Sequence, residues 1–169
     1  PEGDKFFRSI SSPVVSGELV IAPYARGKTV TAIRRGGSGD VTASHIVWER
    51  EPLGADVPTP AIRDGRVMVC GDKGQMSCLD LKTGQTLWEE SLPKNRNKFS
   101  ASPIIVDDHV LLTREDGHSW CIAWPGEKGD TLTILGEGML DEMTVATPVC
   151  VNGKIFLRTH DSLWCIQPQ

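Results

Sequence analysis

No run of about 18 apolar residues occurs in the sequence, so nothing in it could cross a membrane as a helix. The chain opens on Pro1 rather than methionine and shows no signal-peptide core, and the expectation is an excised or processed piece. An excess of positive charge is also lacking. The formal net charge of −4 argues against nucleic acid as a partner, since phosphate binding needs a cationic surface. His45, His109, His118 and His160 stand alone, with no HxxxH or HExxH spacing. The five cysteines form no CxxC pair and no cluster with histidine, which argues against a zinc site. There is no GxSxG elbow, no Walker A loop and no GxGxxG after a strand. No catalytic constellation remains.

What the chain has in quantity is turns. Seventeen glycines and eleven prolines punctuate short apolar runs. The stretch from Thr59 to Trp88 is the clearest unit. Ala61-Ile62 is a short apolar run before the turn pair Asp64-Gly65, and Val67 to Cys70 reads as a second strand. Gly71 to Gly74 supplies a flexible corner, Met76 to Leu81 a third strand, and Lys82-Thr83-Gly84 a tight turn into Thr86-Leu87-Trp88. Hairpins this short pair antiparallel, because parallel pairing needs a long crossover.

The unit recurs. Ser12-Pro13, Thr59-Pro60, Ser102-Pro103 and Thr147-Pro148 head four apolar runs, with the prolines 47, 43 and 45 residues apart. Each run is followed by a turn (Ser16-Gly17, Asp64-Gly65, Asp107-Asp108, Asn152-Gly153) and a second strand. Third strands carry Ala32-Ile33, Cys78-Leu79, Cys121-Ile122 and Cys165-Ile166. Fourth strands are clear at Ile46-Val47-Trp48 and Thr86-Leu87-Trp88, weaker at Thr131 to Leu135, and absent from the last copy. Tandem four-stranded units of about 45 residues predict an all-β fold, a β-propeller of four-stranded antiparallel blades. About four blades are expected, at residues 10–52, 57–93, 99–138 and 144–169, the last lacking its outer strand.

The second copy, through Pro60, Gly65, Gly74, Leu79, Asp80, Thr83, Gly84 and Trp88, resembles the PQQ-like, quinoprotein-type propeller repeat family. The first copy keeps Pro13, Val14, Val15 and Trp48 but expands the connection from Arg34 to Ser44; the third lacks the Thr-Gly turn and its tryptophan. Trp48, Trp88, Asp80, Thr83 and Gly84 are the structural signature, and the resemblance implies that Trp48 and Trp88 dock one blade onto the next. It also implies a larger ring of about six to eight blades. The preferred reading is the C-terminal half of such a ring. The alternatives are a self-closed four-bladed ring, with Lys5 to Arg8 supplying the missing strand, and a homodimer completing an eight-bladed ring.

The odd residues fall into repeat columns. Ala32, Cys78, Cys121 and Cys165 occupy one position, which wants a small apolar side chain between sheets. Equivalent positions in adjacent blades lie about 10 Å apart, beyond the Cα separation of about 7 Å that a disulfide spans. Cys150 shares a core column with Val15, Ile62 and Ile105; a bridge between Cys70 and Cys78 is the alternative to unpaired thiols. Trp120 and Trp164 share a third-strand column and read as packing residues. Arg34 to Gly39 is a flexible excursion, and Lys94 to Lys98 a solvated basic loop.

Propeller geometry brings the fourth-to-first and second-to-third loops to one face, where binding residues sit on a rigid scaffold. Tyr24, Arg26, Arg114, His118 and His160 are the candidates there, suited to an anionic or carbonyl ligand. The leading functional reading is a non-catalytic scaffold binding a protein or peptide partner, or its missing propeller half, with no cofactor. The alternatives are a fragment of a PQQ-dependent quinoprotein dehydrogenase, which would carry PQQ and Ca²⁺, and a carbohydrate-binding accessory propeller. The resemblance implies a periplasmic or cell-surface location.

Overall fold

The computed structural model describes residues 10–24, 28–124 and 131–167. Among the described residues, fifteen strands form four antiparallel sheets, the blades of a partial propeller. The first sheet runs β1 (Val14–Ser16), β2 (Leu19–Tyr24), β3 (Thr29–Arg34) and β4 (Ile46–Arg50). The second holds β5 (Ala61–Arg63), β6 (Arg66–Cys70), β7 (Gln75–Asp80) and β8 (Thr86–Ser91). The third holds β9 (Ile104–Val106), β10 (His109–Thr113), β11 (His118–Ala123) and β12 (Ile134–Met139). The fourth has three described strands, β13 (Val149–Val151), β14 (Lys154–Arg158) and β15 (Leu163–Ile166). Lys5 to Arg8, the segment that the self-closed-ring alternative would need as a fourth strand there, lies outside the described residues.

Each sheet is a plain meander because its turns are locally dictated. Asp64 and Gly65 both take positive φ (49° and 72°), as do Asn152 and Gly153 (49° and 70°), the geometry a two-residue hairpin needs to match strand twist. The third turn of the second sheet is closed by Asp80. Its Oδ1 accepts from the Thr83 N–H (2.8 Å), the Thr83 hydroxyl (2.8 Å) and the Lys82 N–H (3.0 Å). Burial pushes this carboxyl up, but the bonds from Thr83 and Lys82 outweigh it and hold the pKa below its ordinary value.

A register shift recurs at one place in the first three sheets, between Ala32 and Ile33, Cys78 and Leu79, and Cys121 and Ile122. Just before it, Ala32 pairs with Trp48, Cys78 with Trp88, and Cys121 with Gly136. A bulge bends the strand and re-aims its neighbours, and here it precedes the residue that meets the next sheet. Two cores result. Ile21, Val30, Ala32 and Trp48 of the first sheet pack on Val67, Val69 and Leu79 of the second. Met68, Met76, Cys78 and Trp88 of the second pack with Val110, Leu112, Trp120 and Ile122 of the third, and with Phe99 from the loop between them.

Several expectations need correction. The fourth strand of the third sheet is Ile134–Met139 rather than Thr131 to Leu135, because without the Thr-Gly turn the connection runs longer before pairing resumes. The expanded connection of the first sheet contains a single helical turn, Thr42–His45. The cysteine column is not uniformly core: Ala32 and Cys78 are fully buried, Cys121 half-buried and Cys165 exposed, since burial here requires a neighbouring sheet. Cys150 is likewise only half-buried, and Val15 in its column is 58% exposed. No disulfide joins Cys70 to Cys78; they pair with Met76 and Met68 across the hairpin.

Candidate binding face

The Ser/Thr-Pro pairs that head the repeats have a shared role. Ser12 N–H donates to Thr59 Oγ1 (3.1 Å), Thr59 N–H to Ser102 Oγ (2.9 Å), and Ser102 N–H to Thr147 Oγ1 (3.0 Å). The following proline keeps each head residue extended, so its amide points to the next blade. The belt joins four blades at the start of their first strands.

Outside this belt the loops are tied to one another through the backbone. Phe99 N–H donates to Asp72 O (2.9 Å), Glu115 N–H to Lys98 O (2.9 Å), Thr144 N–H to Glu115 O (3.0 Å) and His160 N–H to Met143 O (2.7 Å). Fourth-to-first loops alternate with second-to-third loops along this chain of bonds. Asp72 adds a side-chain tie, its Oδ1 accepting from the amides of Asp56 (3.1 Å) and Val57 (3.4 Å). Backbone groups bonded loop to loop leave little freedom, so the shape of the face is set by the chain itself.

A cleft of about 330 Å³ opens on this face between the loop that follows β4 and the second sheet, lined by Leu53, Gly54, Asp72, Lys73, Gln75 and Ser77 among others. Glu89 sits at its edge and accepts a hydrogen bond from Ser77 Oγ (3.3 Å). The lining mixes the apolar Pro52, Leu53 and Val69 with groups of both charges, Asp72, Lys73 and Glu89.

The candidates named from the sequence divide. Arg114 and His118 are brought together, but not as a free cationic pair. Arg114 is buried and donates through Nε and Nη2 to the two oxygens of Asp116 (2.9 Å each). Asn97 Nδ2 donates to the same carboxylate at 3.1 Å. The Arg114 guanidinium, with Asn97 and the His118 amide, holds Asp116 down to about 2. His118 stacks on Trp120, with ring centroids 4.0 Å apart and planes 11° apart, and its Nε2 lies 3.1 Å from Glu137 Oε2. The Arg114 guanidinium carbon is 5.0 Å from the Trp120 ring centroid. Arg114, Asp116, His118, Trp120, Asn97 and Glu137 therefore form one connected polar-aromatic cluster at the edge of the third sheet. His160 is apart from it, exposed, with Nδ1 2.8 Å from Asp161 Oδ1. Tyr24 ends β2, and Arg26 lies outside the described residues.

Sequence reasoning missed Asp116 and Trp120 as partners of Arg114, and the cleft residues Leu53 and Gln75. The i, i+2, i+4 spacing of Arg114, Asp116 and His118 around one turn was the available signal. Among the described residues no group of three or more His, Cys, Asp and Glu side chains converges to hold a metal ion, and no helix is long and apolar enough to cross a membrane.

Known structures share this architecture. BamB from Moraxella catarrhalis superposes with a TM-score of 0.66 at 19% identity, over 89% of this chain and 43% of that one. The computationally designed Ika4 protein gives 0.70 at 15% identity, over 98% and 94% of the two chains. A europium-containing methanol dehydrogenase gives 0.57 at 21% identity, over 75% of this chain and 24% of that one. The chain thus spans less than half of BamB and about a quarter of the dehydrogenase. Among curated proteins none matches. Residues 39–162 match the family described as outer membrane protein assembly factor BamB, and with that match over most of its length the chain belongs to this family of PQQ-like propellers.

Proposed function

We propose that this chain is a non-catalytic propeller scaffold that binds a protein or peptide partner through the face built from its fourth-to-first and second-to-third loops. The observation that carries the reading is the loop-to-loop backbone bonding that fixes the cleft beside Leu53, Lys73 and Gln75. A preshaped, mixed-polarity cleft suits an extended peptide, because little ordering cost falls on the scaffold. The charged groups of the face favour recognition over chemistry. Arg114 is neutralised by Asp116, His118 is beside Glu137, and His160 is beside Asp161. The family's description as an outer membrane protein assembly factor supports a protein partner and a periplasmic or cell-surface setting.

The test is selection of peptides from a random display library on the purified protein. Enriched peptides should lose at least tenfold in affinity for Lys73→Glu and for Gln75→Lys, with melting temperature unchanged. Peptides indifferent to both variants would remove the cleft from the proposal. PQQ with Ca²⁺ should leave the melting temperature where it is; a shift of several degrees would favour the quinoprotein reading instead.

A further inference from the structure

The junction between the third and fourth sheets lacks what the other two junctions share. At the first, Trp48 stands opposite Ala32, just before the register shift; at the second, Trp88 stands opposite Cys78. Both indoles are nearly buried, at 9% and 7% exposure, and each fills the space toward the next sheet. At the third junction the same position, opposite Cys121, is Gly136. A β-carbon placed on Gly136 would meet nothing within 4 Å.

The space is a cavity of about 250 Å³ lined by Leu111, Cys121 and Gly136 of the third sheet and Ile155, Leu157 and Ile166 of the fourth, among others. These last three correspond to Val67, Val69 and Leu79, which are buried against the first sheet. Enclosed cavities of about 150 Å³ lined by such side chains take up benzene; this one opens to solvent beside the exposed Gly136 and Ile166, and its volume has room for a two-ring aromatic. Its polar lining includes Thr113 and Ser119, whose hydroxyls lie 3.0 Å apart. One hydrogen bond between them leaves oxygen lone pairs able to accept a ring N–H, the part that Leu81 O plays for Trp48 Nε1 at 2.9 Å.

We infer that this cavity is a binding site for a small planar bicyclic aromatic of the indole class, seated where a tryptophan of the chain itself sits at the sister junctions. The site is separate from the loop-face cleft, and its occupancy does not depend on that reading.

Titration of the methyl-labelled protein with indole, followed by NMR, tests the proposal. Saturable shifts are expected at Leu111, Ile155, Leu157 and Ile166, and not at Val67 or Leu79. Gly136→Trp should fill the cavity from within, abolish those shifts and raise the melting temperature. N-acetyl-tryptophanamide in a parallel titration separates the sources. Binding of indole alone identifies a small-molecule site, whereas equal binding of both would identify a site for a peptide-borne indole and overturn the small-molecule assignment. Non-saturable shifts, or shifts centred on the first or second junction, would overturn the proposal even if Gly136→Trp failed to fold.

Discussion

The Trp48 indole is fixed by Gly84 of the neighbouring sheet. A β-carbon on Gly84 would stand 2.6 Å from Trp48 Cδ2 and 2.8 Å from Cε3, and Gly84 also has φ +68°. Two independent constraints therefore act on one residue, left-handed backbone and ring contact. Gly84→Ala should cost about 1 kcal/mol for the backbone and about 1–3 kcal/mol more for displacing the ring. Gly17 (φ +56°), where an added β-carbon would meet nothing within 4 Å, isolates the first cost. Urea unfolding of Gly84→Ala and Gly17→Ala should show the former clearly less stable. Equal losses would mean that ring contact contributes nothing.

The two docking tryptophans differ in their hydrogen bonds. Trp48 Nε1 donates to Leu81 O at 2.9 Å, whereas Trp88 Nε1 is buried with no acceptor among the described residues. The residue equivalent to Leu81 in the third sheet is Trp124: Leu81 N–H donates to Gly65 O and Trp124 N–H to Asp108 O. Replacing Trp48 by Phe removes a satisfied buried bond, and replacing Trp88 by Phe removes an unsatisfied donor. Trp48→Phe should be the more destabilising by about 1–2 kcal/mol. Thermal unfolding of both variants decides it, and a larger loss for Trp88→Phe would contradict the assignment.

These contrasts show where the sequence was legible. Asp64-Gly65 and Asn152-Gly153 could be read as turns because few residue pairs tolerate positive φ at both positions. The docking of Trp48 and Trp88 onto the next sheet was implied by the family resemblance rather than by spacing, since the two stand 40 residues apart while their head prolines, Pro13 and Pro60, stand 47 apart. The fate of the cysteine column was not legible, since Cys78 and Cys165 share a register position and differ only in whether a sheet covers them. Arg114 sits on a loop whose spacing points it outward to a ligand, yet its side chain turns back to Asp116 and Trp120. Loop position follows from spacing; side-chain direction depends on a carboxylate two residues away and on an aromatic across the turn. The shift of β12 to Ile134–Met139 was hidden for a related reason, as no Thr-Gly turn marks its start.

The Arg114–Asp116 pair gives a pH dependence with a definite sign. Asp116 is depressed to about 2 in the folded chain, against about 3.9 when unfolded. The unfolded state therefore takes up its proton first on acidification, and the pair's contribution is present above about pH 4 and lost as pH falls toward 2. Asp116→Asn should lower the melting temperature by an amount that is constant from pH 5 to 7 and shrinks between pH 4 and 2. A difference that is the same at pH 3 and pH 7 would show that the carboxylate charge plays no part.

The cysteines should separate cleanly by reactivity. Cys165 is exposed, whereas Cys70 and Cys78 are buried. Burial, assisted by the nearby Asp72 charge, pushes the Cys70 thiol up to about 12. Because the thiolate is the nucleophile, a rise of this size cuts its reactive fraction about a thousandfold, before access is considered. Native protein treated with a disulfide reagent at pH 8 should react at Cys165 first, with Cys121 and Cys150 slower. Cys70 and Cys78 should react only on unfolding. Peptide mapping at increasing times reads the order, and labelling of Cys70 at the rate of Cys165 would mean that the β6–β7 hairpin opens readily and is not part of a fixed core.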